Sequence, residues 1–316
     1  MSFWREMIKP PRLRKGGKIG IVCPAGGADL VAIKRGMDEL RKLGYDVVPG
    51  RNLKKLAKTG FFSAKAKDRA IELMNMFEDE EIGAIISSRG GYGCMELLNQ
   101  LDYEAIKENS KPFVGFSDIT ALLIAFNQLS NLITFHGPMI GDLLWIEKPE
   151  QAKKNLENLL NVISNPEPIG EIKNPSGAPY IQTIGDGIAR GALIGGNLTL
   201  ISSLMGTPYQ VKVLNKIVLI EDVDEPPYRV HRYLTQLELG GIIEEASGFI
   251  VGEFTNTPKR PGPSIEEVLR EKLSNKPSIY GLACGHGTYR LTLPMGCRAV
   301  LDAESRKLII EEEAVS

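Results

Sequence analysis

The chain has 316 residues, of which 43% are hydrophobic and 24% charged, and its formal net charge is −1. That length suits two domains, each able to bury a core without a disulfide or metal staple. The near-neutral charge excludes the basic footprint of a nucleic-acid binder, and no run of about 18 apolar residues marks a membrane span.

Two short basic clusters, Arg12-Leu13-Arg14-Lys15 and Lys54-Lys55, read as solvated surface. The cysteines, Cys23, Cys94, Cys284 and Cys297, form no CxxC pair, so neither a disulfide framework nor a zinc site is expected. The first twenty residues carry no apolar run ahead of the first strand. No secretory signal is expected, and a reducing cytoplasm fits this cysteine usage.

In chain order, Lys18 to Cys23 is an apolar strand that runs into Pro24-Ala25-Gly26-Gly27. A helix follows, with Leu30, Ile33, Met37, Leu40 and Leu43 on one face and Gly44 as its stop. Next are a strand over Asp46 to Val48, a helix carrying Ile71, Met74 and Phe77, and a strand over Ile82 to Ser88. A helix near Met95 to Leu101, a strand over Phe113 to Phe116, a helix over Ile119 to Leu129 and a strand over Leu132 to Phe135 complete the series. Such alternation predicts a parallel sheet with helices on both faces. A polar helix over Glu150 to Ile163 ends this first domain, residues 1–163. Residues 164–188, rich in Pro and Gly and without periodicity, read as a linker. The second domain, residues 189–316, is predicted as α/β. It has strands over Lys216 to Ile220, Gly248 to Phe254 and Ser278 to Cys284, helices over Tyr228 to Leu239 and Ile265 to Leu273, and a β-hairpin over Arg298 to Glu311.

In open α/β sheets ligands gather at the carboxyl ends of the strands, so strand-end residues are the place to look for chemistry. Gly115-Phe116-Ser117-Asp118 puts Ser117 on a strand-to-helix turn, where first-turn amides lack helical partners and can stabilise an oxyanion. It matches the hydrolase elbow G-x-S-x-G only in part, because Ile119 stands in place of the second glycine. The competing reading is a simple helix cap by Ser117 or Asp118. Ser88-Arg89-Gly90-Gly91-Tyr92-Gly93 is a loop whose backbone a ligand can approach closely, or merely a tight turn; it lacks GxGxxG and the P-loop Lys-Ser/Thr. Glu221 closes an apolar strand ahead of Asp222, Asp224 and Glu225; it suits the orienting of a histidine, against the alternatives of a Mg²⁺ or Ca²⁺ site or a solvated acidic turn. Of three histidines, His286 lies between glycines after a strand, His136 is the rival base, and His231 falls within a helix. Cys284 as a nucleophile has no supporting feature. The order Ser117, Glu221, His286 is the nucleophile–acid–histidine order of α/β-hydrolases.

These motifs resemble the LD-carboxypeptidase family, which includes the microcin C immunity peptidases, from Gly17 to about Leu301. The most specific stretches are Arg89 to Gly93, Val114 to Thr120, Thr134 to Pro138, Gly195 to Leu200, Leu219 to Asp222, and Gly285 to Gly287 with Leu293-Pro294. The resemblance implies a triad of Ser117, Glu221 and His286, with the backbone N–H groups of Gly91 and Asp118 as oxyanion donors. It implies an N-terminal Rossmann-like domain, a smaller C-terminal domain with a β-rich part, a homodimer, and neither metal nor cofactor. Glu225-Pro226-Pro227-Tyr228-Arg229 is closer to the murein-recycling branch, whereas Gly287-Thr288-Tyr289-Arg290 departs from it. The expected activity is removal of the terminal D-alanine from murein tetrapeptides, with Arg89 and Arg232 as candidates for the substrate carboxylate. The alternatives are cleavage of acyl- or aminoacyl-nucleotide conjugates, as in the microcin branch, and a non-enzymatic peptide- or nucleotide-binding module.

Overall fold

The structure is a computed structural model that describes residues 7–27, 29–53, 61–141 and 149–316. The Lys54-Lys55 cluster lies outside the described residues. The chain divides into two compact units. Unit one holds the described residues up to Glu167, together with Thr292–Gly296 and Glu313–Ser316; unit two holds Pro168–Leu291 and Cys297–Glu312.

Unit one is built on β1 (Lys18–Val22), β2 (Asp46–Pro49), β3 (Ile82–Ser87), β4 (Phe113–Gly115) and β5 (Thr134–His136), with a late strand, β12 (Leu293–Met295). The sheet order is β12-β5-β4-β3-β1-β2. Every pairing is parallel except β12 against β5. Four of the connections are helical: α1 (Leu30–Lys42), α2 (Ala66–Glu78), α3 (Tyr103–Glu108) and α4 (Thr120–Leu129), and α5 (Pro149–Ser164) follows β5. Asp29 caps α1 by accepting from the Val31 N–H, and Arg41 and Lys42 in its last turn complement the helix dipole. Ile33 and Leu40 are buried as the periodicity requires, whereas Leu30 and Leu43 at the helix ends are exposed. On α2 the buried apolar face is Leu73, Met76 and Phe77, and Ile71 points outward. Phe77, Phe113 and Phe126 pack edge-on or tilted at 5.0–6.0 Å between ring centres and anchor α2 and α4 to the sheet.

Unit two carries β6 (Gly170–Ile172), β7 (Gln182–Gly185), β8 (Ile188–Asn197), β9 (Lys216–Val223), β10 (Gly248–Thr255), β11 (Ser278–Tyr280), β13 (Arg298–Asp302) and β14 (Lys307–Ile310). Their order is β6-β14-β13-β8-β9-β10-β11-β7. The central run β8 to β11 is parallel, and antiparallel strands flank it on both sides. Its helices are α6 (Leu198–Ser203), α7 (Pro227–Leu239), α8 (Ile242–Glu245) and α9 (Ile265–Leu273). Pro227 opens α7 at a position that needs no N–H, and Ser264 with Glu267 closes a reciprocal capping box on α9.

Four details differ from the sequence expectation. The segment expected as a linker, 164–188, contains β6 and β7, whose backbones pair with β14 and β11. The helix expected near Met95 to Leu101 is a short 3₁₀ turn over Cys94–Leu97. A separate α3 follows it, because the Asp102 side chain caps the Glu104 and Ala105 amides. The strand read to Cys284 stops at Tyr280. The chain also returns to the first sheet at β12, so residues 189–316 do not form one unit.

Candidate active site

In unit one the sequence Gly115-Phe116-Ser117-Asp118 forces an abrupt turn between β4 and α4. Phe116 is extended, and Ser117 then takes φ +62. This is the left-handed region, which costs a residue with a β-carbon roughly 1–2 kcal/mol. A 3₁₀ turn over Ser117–Ile119 leads into α4. The Ser117 hydroxyl faces Gly90: a β-carbon placed on Gly90 would lie 2.9 Å from Ser117 Oγ and 3.4 Å from the Asp118 amide nitrogen. Only glycine leaves room there, so the glycine-rich loop after β3 lies directly against the serine and the amide that follows it.

Asp118 faces inward and is 3% exposed. Its carboxylate accepts from the Cys94 N–H at 2.8 Å. Burial raises its pKa, opposed by hydrogen bonds from Cys94 and the Gly93 backbone and by the charge of Arg69. The side chain thus ties the serine turn to the glycine loop, while its own backbone N–H lies at the helix start, where first-turn amides lack intrahelical partners. Gly91 lies in the same loop, which is braced from the other side by the Gly26 N–H donating to the Gly90 carbonyl at 3.2 Å.

In unit two, Glu221 lies near the end of β9 and is fully buried. The loop beyond β11 brings His286 to it, with His286 Nδ1 and Glu221 Oε2 2.6 Å apart. Burial alone depresses the histidine pKa; the Glu221 charge and hydrogen bond outweigh it, and the pKa stands above the ordinary 6.5. A carboxylate on Nδ1 leaves Nε2 as the nitrogen that exchanges a proton elsewhere, the arrangement a general base requires. Asp222, next along β9, accepts from Asn197 Nδ2 and from the Thr199 amide and hydroxyl at 2.8–2.9 Å. Burial and the neighbouring Glu221 raise its pKa to about 6.

Arg89 is exposed beside the glycine loop and donates to the Gly27 carbonyl at 2.9 Å. Arg232 is exposed on α7, its guanidinium 5.6 Å from the Tyr228 ring centre. His136 is buried at the end of β5 with its ring 5.8 Å from that of Phe116. His231, partly exposed on α7, contacts Glu271 on α9 at 3.1 Å. Cys284 is buried, and burial with the charges of Glu221 and Glu253 pushes its thiol far from the reactive thiolate. The acids near Glu221 are separately engaged, Asp222 with Asn197 and Thr199, Glu225 with Arg229. Among the described residues no group of three or more His, Cys, Asp or Glu side chains is arranged to hold a metal. Sequence reasoning missed Arg69, and it singled out the stretch Gly195 to Leu200 without a role for Asn197 or Thr199; all three act through contacts distant in sequence.

Residues 19–137 match the model of the LD-carboxypeptidase N-terminal domain, and residues 190–301 that of the LD-carboxypeptidase C-terminal domain. The murein tetrapeptide carboxypeptidase of Pseudomonas aeruginosa is 30% identical over 90% of this chain and 93% of its own length. Among solved structures, the microcin C7 self-immunity protein MccF in its wild-type apo state superposes with a TM-score of 0.85 at 28% identity, covering 98% of this chain and all of that one. The muramoyltetrapeptide carboxypeptidase of Oxalobacter formigenes gives a TM-score of 0.77 at 28% identity, covering 93% of this chain and 99% of that one.

Proposed function

The chain belongs to the LD-carboxypeptidase family, and from that premise we propose that it is a serine LD-carboxypeptidase that releases the terminal D-alanine of murein tetrapeptides. Ser117 is the nucleophile, His286 its base and Glu221 the group that holds the imidazole. His286 Nε2 takes the hydroxyl proton as Ser117 Oγ attacks the carbonyl of the amide preceding D-alanine. The oxyanion forms against the amides of Gly91 and Asp118. Collapse breaks the C–N bond, His286 protonates the leaving amine, and water then hydrolyses the ester by the same route. One oxyanion donor is worth on the order of 10²–10³ in rate.

The observation that carries this reading is Ser117 held at φ +62 with Gly90 against its hydroxyl. A helix cap needs no such strain, whereas a serine whose hydroxyl must stand clear of the backbone does. Arg89 and Arg232 are the candidates for the substrate's terminal carboxylate. Arg→Lys at the residue that binds it raises KM, and an unchanged KM in both variants removes this part of the reading. The reading takes the enzyme to be a cytoplasmic homodimer acting on peptides in peptidoglycan recycling.

The likeness to the microcin C7 self-immunity protein, also solved in complex with aspartyl sulfamoyl adenosine, favours a second reading, cleavage of acyl- or aminoacyl-nucleotide conjugates. Incubating the protein with a murein tetrapeptide and, separately, with an aminoacyl-sulfamoyl adenosine decides between them. Faster release of D-alanine supports the first reading; cleavage of the conjugate alone replaces it with the second.

A further inference from the structure

Arg69, in the first turn of α2, is 1% exposed and among the largest fully buried side chains of the protein. A buried guanidinium is costly unless its donors are engaged. Here Nε donates to the Ala64 carbonyl at 3.0 Å, and Nη1 donates to the carbonyls of Pro24 at 2.5 Å and Gly93 at 2.9 Å. Nη2 donates to Glu96 Oε2 at 2.6 Å, and the Phe62 ring lies 5.1 Å from the guanidinium carbon. The three carbonyls belong to three segments: the loop after β1, the approach to α2, and the glycine-rich loop after β3. All of these groups lie in unit one.

A single peptide unit links this network to the serine turn. The Gly93–Cys94 peptide gives its carbonyl to Arg69 and its N–H to the carboxylate of Asp118. It is therefore gripped at both ends, by a fixed cation on one side and by the residue after Ser117 on the other. Its ion-pair partner, Glu96, is 44% exposed, so the pair adds little to bulk stability and is a poor reason for an arginine here. A planar fork that fixes three backbone carbonyls is a good reason, and lysine cannot reproduce it.

We infer that Arg69 is a positioning residue: by holding the Gly93–Cys94 peptide against Asp118 it sets the spacing between the Gly91 and Asp118 amides that receive the oxyanion. This rests on the assignment of Ser117, Gly91 and Asp118 made above. Arg69 touches no substrate; it acts through the loop.

The test compares wild type with Arg69→Lys and Arg69→Met at a temperature where circular dichroism shows all three folded. Two rates are read: D-alanine release from a murein tetrapeptide, and phosphonylation of Ser117 by a fluorophosphonate, whose tetrahedral adduct uses the same oxyanion donors. The expected result is a fall of about 10²-fold in kcat and in the phosphonylation rate together, as for misplacement by about an ångström, with KM unchanged. Asp118→Asn should lower the same rates, and Arg69→Lys combined with Asp118→Asn should lose little more than the worse single variant. Wild-type rates in a folded Arg69 variant overturn the inference, as does the absence of phosphonylation of wild-type Ser117. Phosphonylation of wild type without D-alanine release sinks the substrate reading alone, and the phosphonylation rates still decide the role of Arg69. Should both Arg69 variants fail to fold, Glu96→Gln decides, because its side chain is 44% exposed and tolerant of change. A several-fold slower phosphonylation supports the inference, and an unchanged rate overturns it.

Discussion

Gly285 stands so close to Glu221 that a β-carbon on it would lie 2.2 Å from Glu221 Oε2, and its φ is +86. The glycine is what lets the loop turn tightly enough for His286, the next residue, to reach the carboxylate. Gly285→Ala forces either the loop or Glu221 to move. We expect a stability loss of about 2 kcal/mol or more from the clash and the left-handed backbone. Activity should fall by at least about 10²-fold, since the base is displaced. Denaturant unfolding and a rate assay on the folded variant check this; a variant with wild-type activity removes the His286–Glu221 pair from the chemistry.

The same pair fixes a pH dependence. A general base works only when neutral, so the acid limb of kcat/KM reports His286, whose pKa lies above 6.5 because the Glu221 charge and hydrogen bond outweigh burial. Glu221→Gln removes the Glu221 charge, the largest raising effect, while its amide oxygen still accepts from Nδ1, and the balance shifts toward burial. The limb should move to lower pH while kcat falls by about 10²–10⁴-fold, as when the acid of a triad is neutralised. In stability the sign is opposite. The folded pKa is raised, so the pair's contribution is complete below the unfolded value and is lost as pH rises through the folded one. A limb that does not move in Glu221→Gln contradicts the assignment.

Ser117 stores strain that glycine would release. Ser117→Gly should raise stability by up to about 1 kcal/mol, the left-handed cost less the entropy glycine adds to the unfolded chain, and should abolish activity. Ser117→Ala keeps a β-carbon at the same φ and should gain nothing. Equal stabilities of the glycine and alanine variants in urea would show that the turn is not strained.

Asp222 carries a second pH signature. Its pKa, raised to about 6 by burial and by Glu221, means that stability declines as pH rises from 3.8 through that value. Asp222→Asn should shrink the difference in unfolding free energy between about pH 5 and about pH 7. It should also cost about 1–3 kcal/mol, because an amide NH₂ then faces donors on Asn197 or Thr199. An undiminished pH difference would mean that another group titrates there.

Much of this was legible in the sequence because it is local. The parallel sheet of unit one follows from alternating strand and helix patterns. The sharp turn at Ser117, the strand-end position of Glu221 and the glycine-flanked His286 are each written in four or five residues. What the sequence hid depends on distant pairing. Short strands such as β6 and β7 have no apolar run to announce them and exist through their backbone bonds to β14 and β11. β12 contains Pro294, which reads as a break in a strand but is tolerated at a sheet edge. The Arg69 network was invisible because all but one of its hydrogen-bond acceptors are backbone carbonyls, which carry no sequence signal.

The most direct measurement is release of D-alanine from a murein tetrapeptide, followed by mass spectrometry with EDTA present, by wild type and by Ser117→Ala shown to be folded. Release by wild type and none by the variant is the expected result. Release that persists in Ser117→Ala, or that EDTA abolishes in wild type, would contradict it.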